Sequence, residues 1–242
     1  MHYKKRRIIG RHFITRGFFL FLLLITAVYF FIHSQFFNVS HIEVAADSQS
    51  LLTEEEIKNL SGIRTGSNIF QVDARAAEKK LELHPMIKKS AVGRVLPKTI
   101  KIQIEERRPA ALIPVDEGFI QICHDGFYLK HMDTIGGVGH PIITGLDLEG
   151  IPSPGDKLTG DGLELALKSI GSLPSDGVNI IGEVDAHNPS NIRMYTVTGV
   201  EIILGDQKDL QDKIRLALDI ISGLDKNIRM VDVRFLKTPV VK

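Results

Sequence analysis

The sequence predicts an α+β protein: an N-terminal transmembrane helix, a compact βααββ domain, then a strand-rich α+β domain. Three observations predict it. Gly17 to Ile32 contains no Asp, Glu, Lys, Arg or His and is dense in Phe, Leu and Ile. Ile100, Ile102 and Ile104 alternate with Lys101, Gln103 and Glu105, the period of two of a strand with one buried and one wet face. Between these lies Thr53-Glu54-Glu55-Glu56, the pattern of a capping box at a helix start.

The 16 residues from Gly17 to Ile32 would span only about 24 Å as a helix, short of a hydrocarbon core of about 30 Å. Extending the segment to Phe36 and Phe37 closes the gap, so the expected membrane helix covers 17–37. Lys4, Lys5, Arg6, Arg7, Arg11 and Arg16 precede the apolar run, and no Lys or Arg follows until Lys58. A basic flank stays in the cytoplasm. Residues 1–16 are therefore read as a cytoplasmic tail, and the chain as a single-pass type II protein of the inner (cytoplasmic) membrane with its C-terminal mass outside. The alternative, a cleaved signal peptide, has the same basic start. Against it, the apolar run is longer than a usual h-region and no A-x-A site follows. Topogenesis accounts for the basic tail without nucleic acid.

Phe37 to Ala45 reads as a first strand. Thr53 opens a helix with Leu52 and Ile57 as its staple, and Gly62 ends it. Asp73 caps a second helix with Ala74, Ala77 and Leu81 on one face, stopped by His84-Pro85. Two strands follow, 87–94 and 99–106, parted at Pro97. Arg107-Arg108-Pro109 closes the unit, with the two arginines read as a solvated charge pair of no binding role. Downstream, 119–123 and 127–129 flank His124-Asp125-Gly126 as a hairpin, and 136–139 reads as a flexible loop. Asp161 is expected to cap a helix with Leu163, Ala166, Leu167 and Ile170 inward. Strands follow at 180–186, 192–197 and 200–204, the last two turned by Thr198-Gly199. Asp206 is expected to cap a longer helix burying Leu210, Ile214, Ala217 and Ile221. The chain ends in an alternating strand, Met230-Val231-Asp232-Val233-Arg234-Phe235. Val231, Val233 and Phe235 are expected to face the core, and Asp232 and Arg234 to face out.

No catalytic, cofactor or metal site emerges. The nine histidines never fall at H-x-x-x-H or H-E-x-x-H spacing. The single cysteine, Cys123, excludes an internal disulfide and reads as a small buried side chain. Gly136-Gly137-Val138-Gly139 lacks the spacing of a phosphate cradle, and no G-x-S-x-G elbow occurs. Thirty basic against 29 acidic residues leave a net charge of +1, which points to no class of partner.

The chain resembles the FtsQ/DivIB family of bacterial cell-division proteins. Carrying the resemblance are the basic tail and single anchor, Phe37-Asn38-Val39 through Ile42-Glu43-Val44, Leu51 to Glu54, and Gly66-Ser67-Asn68-Ile69-Phe70. Its strongest element runs from His84-Pro85 through Ala91-Val92, Arg94 and Pro97 to Ile104-Glu105-Glu106-Arg107-Arg108-Pro109. Tyr195-Thr196, Gly199, Leu204-Gly205 and Val231 to Phe235 fit the same family, while the middle of the chain is weak.

The resemblance implies a POTRA domain over 38–107 and a β domain over 108–242. It implies a non-enzymatic scaffold that recruits and couples other membrane proteins at the division septum. The implied partners are bitopic proteins of the FtsL and FtsB/DivIC type, with no nucleic acid, small-molecule substrate or cofactor. It implies docking by strand addition along Met230, Val231, Asp232, Val233, Arg234 and Phe235. The residues alone favour an ordinary edge strand guarded by charge and proline, and the resemblance brings the two readings near even; Lys237-Thr238-Pro239 interrupts the strand where the family usually runs on. Two other classes stay open: a POTRA-containing transport or assembly protein, which would need a series of barrel strands, and a membrane-anchored cell-wall hydrolase.

Overall fold

A computed structural model describes residues 9–47, 50–135, 139–148, 152–174, 177–223 and 228–242, with side chains described from residue 15 onward. The basic residues 4–7, the Arg11 side chain and positions 136–138 of the glycine-rich loop lie outside the described residues. The chain divides into two compact units, Met1–Glu82 with Lys89–Glu105, and Leu83–Lys88 with Glu106–Lys242.

In the first unit, helix α1 (Ile9–Ile32) contains a window, Thr15–Ile32, long and apolar enough to cross a membrane. The expected extension to Phe37 as helix does not occur. The Ile32 carbonyl, which would bond the next helical turn, instead accepts from Asn68 Nδ2 at 2.8 Å. The chain tightens after it into a 3-10 turn at Gln35–Phe37. Phe37 is buried, its ring 5.2 Å from Phe31 and 5.1 Å from Phe70.

The rest of this unit is β1 (His41–Ala45), α2 (Glu54–Ser61), α3 (Ala74–Glu82), β2 (Ile87–Val95) and β3 (Thr99–Glu106), in the sheet order β1-β3-β2. Each helix starts where local chemistry supplies a cap. The Thr53 hydroxyl accepts from Glu56 N–H at 3.3 Å and Glu56 Oε2 accepts from Thr53 N–H at 2.7 Å. Asp73 Oδ1 accepts from Ala76 N–H at 3.0 Å. Gly62 ends α2 in the left-handed region at φ +67°, which a Cβ would strain. Strand β1 runs parallel to β3, pairing Ile42 with Ile100 and Val44 with Ile102. Ile57, Ile69, Leu81, Ile100 and Ile102 form buried apolar positions of this unit.

The outer edge of β2 is closed by side chains. Ser90 N–H donates to Glu82 Oε1 at 3.0 Å and Val92 N–H to Glu78 Oε1 at 2.8 Å. Both glutamates project from α3, so two ladder donors that an added strand would use are already occupied.

The second unit is a nine-stranded sheet with two helices. Its elements are β4 (Pro109–Val115), β5 (Gly118–Cys123), β6 (Tyr128–Met132), β7 (Ile142–Thr144), α4 (Asp161–Gly171), β8 (Ile181–Asp185), β9 (Ile192–Thr196), β10 (Glu201–Gly205), α5 (Leu210–Gly223), β11 (Met230–Asp232) and β12 (Val240–Val241). The order across the sheet is β12-β11-β10-β9-β8-β7-β4-β5-β6. Helix α4 carries the chain from β7 to its parallel neighbour β8, and α5 does the same from β10 to β11. Helix α4 packs on β4, α5 on β10 and β11, and the helices touch each other, so both cover the same face. Leu163, Ala166, Leu167 and Ile170 of α4, and Leu210, Ile214 and Ala217 of α5, enter the core with Ile202, Leu204 and Val231 of the sheet.

Several expectations need correction. Gly160, not Asp161, occupies the N-cap position of α4, and Asp161 lies in the first turn. Asp206 does not cap α5, which starts at Leu210. Its carboxylate instead accepts from Lys208 N–H at 3.2 Å and from the buried Lys213 ammonium at 2.8 Å. Those two bonds, the lysine's foremost, hold the Asp206 carboxyl below the usual carboxylate range. Arg107 is not a solvated charge. Its guanidinium lies 4.0 Å from the Phe127 ring centroid and donates to the carbonyls of Pro85 at 3.0 Å and Ile87 at 2.5 Å.

Candidate partner-docking edge

Met230 to Phe235 divides into two parts that the alternating pattern does not distinguish. Only Met230–Asp232 is strand. It pairs in parallel with β10, Met230 opposite Glu201 and Val231 opposite Ile202. Val233 then donates its N–H to the Ile203 carbonyl at 3.0 Å and buries its side chain completely. Past it the backbone turns. Asp232 accepts from three donors of Arg234, the backbone N–H at 3.1 Å, Nε at 3.0 and 3.1 Å to the two carboxylate oxygens, and Nη2 at 2.6 Å. The Arg234 hydrogen bond holds the Asp232 carboxyl below its ordinary range and raises the guanidinium. The Arg234 stem lies over Gly205, where a Cβ would come within 2.9 Å of Arg234 Cγ and where φ is +72°. Phe235, expected in the core, is 72% exposed because the turn faces it outward.

Nor is β11 the edge. The chain reverses through 234–239 and returns as β12, antiparallel to β11, with Val241 opposite Val231 and Val240 opposite Asp232. Met230 and Lys242 exchange both backbone hydrogen bonds, at 3.0 and 2.9 Å. In an antiparallel ladder the next pair along, Val231 and Val241, is then the non-bonded kind. The N–H and C=O of Val241 therefore point away from β11. Two residues back, Pro239 shares that outward parity and has no N–H to give. The edge thus offers one outward donor within 239–242, flanked by the exposed side chains of Phe235, Val240 and Val241.

The opposite edge, β6, is partly covered. Tyr128 N–H donates to the Asp156 carbonyl at 2.9 Å and Gly155 N–H to the Tyr128 carbonyl at 2.8 Å. Among the described residues, no group of three or more His, Cys, Asp or Glu side chains gathers as metal ligands. Cys123 is buried in β5.

The structure brings Met230, Val231 and Asp232 together in a strand one position inside the edge. It places Val233 in the core and leaves Arg234 and Phe235 on the connecting turn. Sequence reasoning missed Val240 and Val241. Two β-branched residues after a proline were the available signal, and a run of two is too short to register as a strand.

Comparison with known proteins places these features. A family model described as the FtsQ-type POTRA domain matches residues 37–107. Over 198 residues the chain is 29% identical to a cell division protein FtsQ of Anaeromyxobacter sp. (strain K), covering 80% of this chain and 66% of that relative. A cell division protein DivIB of Geobacillus kaustophilus is 28% identical over 234 residues, covering 94% of this chain and 83% of its own. Among solved structures, the major extracytoplasmic domain of the trans isomer of DivIB from Geobacillus stearothermophilus aligns at 19% identity. That alignment has a TM-score of 0.37 and covers 51% of this chain and 98% of that one.

Proposed function

We propose that this chain is a member of the FtsQ/DivIB family of bacterial cell-division proteins and a non-enzymatic scaffold that couples septal membrane proteins through its sheet edge. Its relatives support a role in cell division. The observation that carries the scaffold reading is the C-terminal edge of the large sheet, where Val241 turns its backbone groups outward beside the exposed Phe235 and Val240. An added strand would take its backbone bonds from Val241 and its apolar contacts from these three side chains. Met230 to Asp232 would act as the supporting strand, and the Asp232–Arg234 clamp would fix the turn that presents Phe235.

One donor is a narrow ladder, so side-chain burial has to supply most of the affinity. A net backbone hydrogen bond contributes only about 1 kcal/mol. Anchoring by α1 confines the chain to the membrane plane and raises its effective concentration for other anchored partners. Bitopic proteins of the FtsL and FtsB/DivIC type are the proposed occupants, with the chain in the inner membrane at the septum. A fluorescent fusion of the full chain tests the placement: a septal band is expected, and uniform membrane fluorescence in dividing cells would refute it. Co-purification of those partners with the full chain, reduced a few-fold with a folded Val241→Pro variant, tests the edge; undiminished recovery with that variant would refute it.

A further inference from the structure

We infer that the end of the first unit adjoining α1 is a lipid-contacting surface, seated in the headgroup layer of the outer leaflet. The inference rests on α1 crossing the membrane, as proposed above. Three loops converge at this end. The 3-10 turn Gln35–Phe37 follows α1 directly. The 66–70 loop bonds to what comes next: Gly66 N–H to the Val39 carbonyl at 2.8 Å, Val39 N–H to the Ser67 carbonyl at 2.9 Å, and Ile69 N–H to the Phe37 carbonyl at 2.8 Å. The turn between β2 and β3 joins through Lys98, whose carbonyl accepts from Ser40 N–H at 2.9 Å and whose ammonium sits 5.8 Å from the Phe36 ring centroid. Each loop exposes a large apolar side chain: Phe36, Phe70, and Val95 with Leu96.

Depth identifies the occupant. The apolar window ends at Ile32. The Phe36 ring stacks 6.0 Å from that of Phe31, one residue inside that end, and the headgroup layer beyond the hydrocarbon is about 5–8 Å thick on each side. Phe36 therefore falls within or at the rim of that layer. The coupling to α1 is physical as well as sequential: Asn68 holds the last helical carbonyl, and Phe31, Phe36, Phe37 and Phe70 form a chain of ring contacts between 5.1 and 6.0 Å. The opposite end of the unit supplies a contrast. Strand β1 runs away from this surface, and Leu51, beyond its far end, is an exposed apolar residue of comparable size.

The test uses the full chain in liposomes, with single cysteines introduced at Leu96, Phe70, Leu51 or Leu23 and labelled with an environment-sensitive fluorophore. Protein carrying only the buried Cys123 gives the background. Lipids spin-labelled at the headgroup or deep in the acyl chain act as quenchers. Labels at 96 and 70 are expected to shift to the blue and to be quenched at least twofold more by headgroup-labelled lipid than the label at 51. The label at 23 should respond to the deep quencher. Quenching at 23 together with equal behaviour at 96, 70 and 51 would overturn the inference while leaving the anchor intact. Loss of quenching at 23 would instead overturn the anchor, and the inference with it. A blue shift at 96 without lipid quenching would also overturn it, because a protein surface would then cover the patch.

Discussion

Phe235 and Val233 sit two residues apart and the structure assigns them opposite consequences on substitution. Phe235 is 72% exposed and Val233 is 0% exposed. Fully burying a phenylalanine is worth about 1.5–3 kcal/mol. Scaled by the exposed fraction, covering Phe235 with a partner would contribute about 1–2 kcal/mol, so Phe235→Ser should weaken binding by about 5- to 30-fold. It should leave the fold alone. Val233→Ser removes two buried methyl groups, about 1.6 kcal/mol, and places a hydroxyl where water is excluded, about 1–3 kcal/mol more. A domain of this size should then lose about 5–15 °C in melting temperature. The assay is thermal unfolding of the full chain followed by titration of an immobilised FtsB/DivIC-type partner. Partner affinity within twofold of the parent for folded Phe235→Ser would refute the docking argument. An unchanged melting temperature for Val233→Ser would refute the burial argument.

Four further outcomes are expected. Val241→Pro should preserve the melting temperature, because the lost N–H faces outward, and should weaken partner binding a few-fold; a fall of several degrees would show that N–H paired within the sheet. Glu78→Ala strips the acceptor from Val92 N–H, so it should cost about 1–2 kcal/mol in urea unfolding and promote self-association visible by light scattering. Because the Asp232 carboxyl is held below its ordinary value, its stabilisation is present above the unfolded pKa of about 3.9 and is lost as pH falls through the folded value; Asp232→Asn should therefore flatten the melting profile between about pH 5 and 3. Gly205→Ala should destabilise the end of β10 by more than 1 kcal/mol in chemical unfolding, through its positive φ and its contact with Arg234.

The first half of the chain was legible because its signals are local. The Thr53–Glu56 capping box, Gly62, Asp73 and the alternation from Thr99 to Glu106 each specify their element within a few residues, and the structure forms them there. What failed was what distant parts of the sheet decide. Strand β4 was overlooked because Arg107-Arg108-Pro109 was read as the close of the first domain. Pro109 opens the strand, and Pro114 lies beyond the one β7 pairing at Leu112, so neither is asked for a donor there. Strand β7 is three residues long, and its burial depends on a parallel partner reached through α4. Phe235 was misplaced for a related reason. Alternation assumed a strand that continued, whereas the Asp232–Arg234 clamp turns the backbone after Val233. Of the residues proposed for docking, the sequence made the supporting strand legible, while the edge depended on the reversal at 234–239.

Strand β11 reaches its place only through the α5 crossover, beside a β10 that must already be paired with β9. Under the proposed function, recruitment would be conditional on completed folding of the large unit. A polypeptide stopped before Met230 would present β10 as its border, with the backbone groups that pair with β11 left open, an adhesive rim inviting indiscriminate aggregation. Completion of the large sheet and, under the proposed function, its readiness to dock would then reside in the same few late-arriving residues.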